Sequence, residues 1–218
     1  MPKGSIRGVL AAVLAIALSA PAHAQIPAST YPGRRVAAIA RLGSDVLIVP
    51  ARASFMGADQ PAFLQAPDFQ YLTGLESLLG SILVLDGAAS TATLFVAPAS
   101  PTTQGVVRPG ADSARSLQLS DVLAVSALEP WLRRRFDGAA TTAYVTSTDE
   151  RAAVSAPLPM SGSVARWRSW LTTLGAANVK SAASILSPMR EIKDERELSI
   201  LRRAVSYTHL TLPTNREV

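Results

Sequence analysis

The sequence predicts an α/β domain built on a mixed β-sheet flanked by helices, and three observations point there. Short apolar runs rich in branched side chains, above all Val46 to Val49 and Ser81 to Leu85, are too short for helices and suit strands buried on both faces. They alternate with amphipathic helical stretches such as Ser126 to Phe136 and Ser163 to Leu174. Strands interleaved with helices over about 160 residues match the size of one domain, and no internal repeat divides it.

From Tyr31 to Leu42, the apolar positions Val36, Ile39, Ala40 and Leu42 follow a helical stripe that leaves Arg34, Arg35 and Arg41 to solvent, and Gly43 closes the helix. Asp45 to Pro50 is then a strand. Phe69 to Thr73, Ser81 to Leu85 and Ala92 to Val96 are three further strand candidates, with Phe69, Tyr71 and Thr73 alternating on one face of the first. Asp86-Gly87 suggests a tight hairpin between the last two. After an irregular stretch from Ala97 to Leu117, Asp121 to Val125 reads as a strand and Ser126 to Phe136 as a helix. In that helix Ser126 and Glu129 stand at capping-box spacing, Pro130 falls in the first turn, and Arg133, Arg134 and Arg135 lie at its negative, solvated end. Thr142 to Thr146 is another strand. The helix Ser163 to Leu174, stopped by Gly175, carries Trp167 and Trp170 as core or interface anchors. A last helix begins near Asp194, which caps it, with Glu195 and Glu197 at its positive end, Arg202 and Arg203 at its negative end, and Leu198, Leu201 and Val205 on one stripe.

Both ends of the chain differ from this middle. Residues 1–24 have the three parts of a secretory signal peptide: Lys3 and Arg7, the apolar run Val9 to Ala20, and the small-residue site Ala22-His23-Ala24. That run is far shorter than the about 20 residues a membrane span needs. A secreted or periplasmic protein beginning at Gln25 is expected, with no membrane association after cleavage. At the other end, the helical pattern switches abruptly at Tyr207, Thr208, Leu210 and Leu212, and Pro213 cannot continue it. The string VSYTHLTLPT, Val205 to Thr214, looks like the translation of a transposase sequencing adapter, so residues 206–218 are expected to be a non-native tail.

Composition excludes several chemistries from the segment between these ends. The chain has no cysteine, which removes thiol nucleophiles and thiolate metal sites. Its two histidines, His23 and His209, fall in the signal and the tail, so a serine nucleophile has no imidazole base. A Ser-Lys pair using Lys180 or Lys193 has no motif around it, and Gly105 and Gly110 lack the spacing of a phosphate loop. Loss of Lys3 and Arg7 takes the formal charge from +5 to +3. That is too mild and dispersed for a nucleic-acid partner.

Three segments together resemble the N-terminal domain of the Xaa-Pro aminopeptidases (aminopeptidase P), within the creatinase and prolidase group. Gln65 to Gly74, QAPDFQYLTG, is similar to the family's Asp-Phe, aromatic, Tyr-Leu-Thr-Gly pattern. Ser81 to Leu85 with Thr93 to Pro98 looks like its paired central strands. Met189-Arg190-Glu191-Ile192-Lys193, followed by Glu195, Glu197, Leu201, Arg202 and Ala204, resembles its linking motif. Two departures lie around the first segment: Leu64 stands where the family often has Arg, and Glu76-Ser77-Leu78-Leu79 replaces its usual Glu-Pro.

After the signal peptide at 1–24, the resemblance implies the aminopeptidase P N-terminal domain at 25–188 and a linking helix at 189–205 leading to a pita-bread catalytic domain that this chain lacks. In such a catalytic domain two divalent ions, usually manganese, are held by Asp, Asp, His, Glu and Glu and activate a bridging water. The acidic residues present here, Glu191, Asp194, Glu195 and Glu197, are better explained as helix caps. The chain itself is therefore expected to bind no metal or other cofactor and to be inactive. The complete parent would be a metal-dependent aminopeptidase, homo-oligomeric, acting on short proline-containing peptides. Asp59 is the nearest match to a family residue that reaches a neighbouring subunit's active site, which implies a substrate contact in trans. The alternatives are a prolidase-like dipeptidase or amidinohydrolase of the same superfamily, or a free-standing peptide-binding module without catalysis.

Overall fold

A computed structural model describes residues 26–53, 65–99, 107–146 and 164–211. The elements in order are α1 (Thr30–Ile39), β1 (Val46–Pro50), α2 (Pro67–Thr73), β2 (Ile82–Asp86), β3 (Thr91–Val96), α3 (Ser113–Ser116), β4 (Asp121–Ala124), a 3-10 turn (Val125–Ala127), α4 (Leu128–Phe136), β5 (Thr142–Val145), α5 (Val164–Thr173), β6 (Asn178–Ser181), α6 (Ala183–Glu191) and α7 (Glu195–Thr211). Residues Pro27–Ile192 form one compact unit, and Lys193–Val218 belongs to a second.

Six strands make one mixed sheet in the order β4-β3-β2-β1-β5-β6. The central strands β1, β2 and β3 pair antiparallel, with Leu47 opposite Leu85 and Leu83 opposite Leu94. The flanking pairs β1 with β5, β3 with β4 and β5 with β6 are parallel. All five residues of β1 and of β2 are buried: the apolar runs Val46 to Pro50 and Ile82 to Leu85 suit strands covered on both faces, and Asp86 at the end of β2 is buried against Arg135. Successive side chains alternate between two cores. Leu47, Val49, Leu83, Leu85 and Leu94 join Ala38 of α1, Phe69 and Leu72 of α2, and Ile185 and Leu186 of α6 on one side. Val46, Ile48, Ile82, Val84 and Phe95 join Leu128, Leu132 and Phe136 of α4 with Trp167 and Leu171 of α5 on the other.

The fold class and most strands are as the sequence predicts, and several local expectations are corrected. Phe69 to Thr73 is not a strand but the body of α2. Pro67 at its start, Asp68 in its first turn and left-handed Gly74 (φ 71°) after its end are helix punctuation, and the buried residues Phe69, Leu72 and Thr73 follow helical spacing. Arg34 and Arg35 are not solvent-facing: they are 7% and 3% exposed, whereas Val36 is 66% exposed, so the stripe expected on α1 is rotated. The capping box at Ser126 does not form. The 3-10 turn leads into α4, Ala127 occupies the N-cap position with no side-chain cap, and Glu129 pairs instead with Arg133 at 2.8 Å. Arg135 is not solvated either: its Nε donates to Asp86 Oδ2 at 2.7 Å and its Nη1 to Thr141 Oγ1 at 2.9 Å.

The Asp86-Gly87 connection is wider than a two-residue turn, since β2 ends at Asp86 opposite Thr91 of β3. Asp86 Oδ1 accepts the backbone N–H groups of Ala88 and Ala89 across it. Strand β6 lies where no element was expected, α6 starts ahead of the linking helix expected at 189–205 and overlaps it only at residues 189–191, and α3 lies within the stretch expected to be irregular. At the far end α7 starts as predicted: Asp194 Oδ1 accepts Glu197 N–H at 2.8 Å and Glu197 Oε2 accepts Asp194 N–H at 3.1 Å, a reciprocal capping box. The helix does not stop at Val205 but runs on to Thr211.

Candidate functional site

The densest set of polar contacts over long sequence separations lies around α2, and it begins with the arginines of α1. Residues Tyr71 and Leu72 stand in the last turn of α2, where backbone carbonyls have no helical partner and the helix dipole is negative. Arg35 Nη1 donates to Leu72 O at 2.9 Å, and its Nη2 donates to Leu117 O at 2.6 Å and Gln118 O at 3.1 Å just beyond α3. One buried guanidinium therefore caps two helix ends. Burial pulls its pKa down to about 10, and at neutral pH it remains the cation these carbonyls favour.

Arg34 works on the outer side of the same helix end. Its Nη1 donates to Tyr71 O at 3.2 Å, and its guanidinium carbon lies 4.1 Å from the Tyr71 ring centroid and 5.7 Å from that of Tyr31. Burial raises the pKa of Tyr31; the Arg34 cation lowers it and Glu76 raises it further. Gly74 suits the position beside them, because its φ is 71° and a Cβ there would push the Tyr31 ring aside.

The start of α2 is fixed by Gln65, 4% exposed, whose side-chain amide replaces missing backbone partners. Its Oε1 accepts Arg52 N–H and Ala66 N–H, each at 2.9 Å, and its Nε2 donates to Leu78 O at 2.7 Å. Two further contacts join α2 to the last turn of α6: Tyr71 Oη donates to Met189 O at 2.9 Å, and Arg190 Nη1 lies 2.7 Å from Asp68 Oδ1. The first and third segments singled out in the sequence thus meet in space. Asp68 and Tyr71 come from QAPDFQYLTG, and Met189 and Arg190 from MREIK.

This arrangement positions backbone and holds no reacting group. Asp68 is occupied by Arg190, and Glu195 by Arg202 at 2.6 Å. Among the described residues no three His, Cys, Asp or Glu side chains converge as metal ligands would. Glu195 and Glu197 stand in the first turn of α7, where a carboxylate complements the dipole, so the described residues offer no fit to a metal pair. Asp59, the expected substrate contact, lies outside the described residues, as do the signal segment 1–24 and Gly105. Sequence reasoning missed the roles of Arg34, Arg35 and Gln65. For the arginines, a signal was available in two adjacent cations on a helix whose other charges are few.

Comparison with solved structures finds the same fold in an Escherichia coli aminopeptidase P variant (18% identity, TM-score 0.60), aligned over 83% of this chain and 42% of that one. Proline aminopeptidase P II from Yersinia pestis is similar at 20% identity and TM-score 0.60, over 82% and 42% of the two chains. The aminopeptidase PepP of Pseudomonas aeruginosa gives 20% and 0.60, over 80% and 41%. The chain therefore spans about two-fifths of the length of these structures. No curated protein matches it. Residues 31–144, more than half of the sequence, match the family described as aminopeptidase P, N-terminal domain. The chain belongs to that family.

Proposed function

We propose that this chain is the noncatalytic N-terminal part of an exported metallo-aminopeptidase that releases the residue preceding proline. The observation that carries the reading is the family match over residues 31–144 in a chain that covers only 42% of the length of an aminopeptidase P structure. The remaining length of such a protein is where the metal ligands would reside, two divalent ions and by resemblance manganese. The domain described here would serve subunit assembly and would restrict the entrance to short proline-containing peptides. Residues 1–24 would direct export to the periplasm or beyond and be removed before Gln25. Asp59 would touch substrate bound in a neighbouring subunit.

The test is to sequence the source DNA past the codon for Val205, express the complete frame, and assay it beside this chain on an Xaa-Pro peptide with manganese. The expected result is a frame carrying the Asp, Asp, His, Glu and Glu ligands, chelator-sensitive release of the first residue by the complete protein, and no release by this chain. Metal-dependent turnover by this chain alone would overturn the proposal. So would a frame that ends at Val218, which would leave a free-standing binding module.

A further inference from the structure

We propose that the Asp68–Arg190 ion pair and the Tyr71–Met189 hydrogen bond form a latch that holds the last turn of α6 closed, so that the chain reaches the edge of the domain from one fixed anchor. The need for such a latch is written into α6. Pro188 sits inside the helix and has no N–H, so the carbonyl of Ser184 loses its helical donor and the final turn is weakened. Ile192 then becomes extended (φ −85°, ψ 108°), ending the helix without the left-handed residue that ordinarily closes one. The carbonyls of that turn are therefore left to water or to side chains from elsewhere in the fold.

Both latch contacts come from one element, α2, across 118 and 122 positions of sequence. The phenol of Tyr71 supplies a donor to the Met189 carbonyl, one of those left over at the helix end. Asp68 lies in the first turn of α2, where the dipole favours its charge, and faces Arg190 in the last turn of α6. Because α2 is itself fixed at both ends by Gln65 and Arg35, its side of the latch is rigid. The ion pair is partly exposed, with side chains 42% and 25% accessible, which makes it a restraint of modest strength. Met189 also packs against the adjoining core, so opening of the turn would expose apolar surface locally. The latch can thus release the last turn without dissolving the sheet.

Hydrogen exchange followed by mass spectrometry on the full chain tests this. In the double variant Tyr71→Phe, Asp68→Asn, amides from Met189 to Ile192 should exchange about tenfold faster, while those of β1 and β2 keep their protection. Tyr71→Phe alone retains the ring under Arg34 and should give a smaller acceleration at the same amides. This provides the readout if the double variant does not fold. Unchanged exchange at Met189 to Ile192 would overturn the latch. Equal acceleration across the sheet would also overturn it, since the contacts would then be part of global stability rather than a local device.

Discussion

At Arg35 a single side chain satisfies three backbone carbonyls contributed by two helix ends, in a site that is 3% exposed. The energetic asymmetry of hydrogen bonds makes its removal costly: each bond contributes little net, but a buried acceptor left without a donor retains its full desolvation penalty. Arg35→Ala is expected to lower the unfolding free energy of the chain by about 3 kcal/mol, measured by urea denaturation. Arg35→Lys should recover only part of that. An ammonium keeps the charge but cannot spread its donors across Leu72, Leu117 and Gln118 as a planar guanidinium does. The depressed pKa of Arg35 near 10 comes from the same burial, which withdraws the cation from water, while the carbonyl oxygens it meets favour the charged form and oppose the shift.

Helix α2 shows how one element can satisfy two patterns. Phe69, Tyr71 and Thr73 alternate as a strand would, yet Phe69, Leu72 and Thr73 are the residues buried, at helical spacing. What decides between the patterns is the punctuation: Pro67 preorganises the first turn and Gly74 adopts the left-handed conformation that ends the last. Gly74 has two separate reasons to be glycine, its φ of 71° and the Tyr31 ring beside it. Gly74→Ala should cost about 2 kcal/mol, and in a Tyr31→Ala background only about 1 kcal/mol, the backbone share. A thermodynamic cycle of the four proteins by thermal unfolding separates the two. Elements whose apolar runs lie wholly in the sheet centre, such as β1 and β2, were legible because burial on both faces leaves an unbroken signal. By contrast β6 has Val179 as its one buried residue and so shows no alternation, while in α6 the helical spacing of Ala182, Ile185, Leu186 and Met189 is masked by Pro188, which reads as a helix breaker. The contacts of α2 with α6 span more than a hundred positions, beyond the reach of any local pattern, although both segments were singled out by resemblance.

On the scale of the whole unit Pro27–Ile192, the sheet is a shared wall between two apolar cores. Adjacent residues of β3 show the division: Leu94 faces α1, α2 and α6, and Phe95 faces α4 and α5, both fully buried. All three tryptophans, Trp131, Trp167 and Trp170, lie in or against the second core, so their fluorescence reports that face alone. Strands β1 to β5 contribute side chains to both cores, and their hydrogen bonds hold only while neighbouring strands remain in place. Loss of one core therefore removes the backing of the other. Leu94→Ala is expected to cost about 2–5 kcal/mol and Phe95→Ala about 3–5 kcal/mol, through lost burial and the cavities left behind. Although Leu94 belongs to the other core, its replacement should move the tryptophan-fluorescence midpoint as far as the far-UV circular dichroism midpoint in the same denaturant series. Divergence of the two midpoints would mean that the cores unfold separately and that the sheet does not couple them.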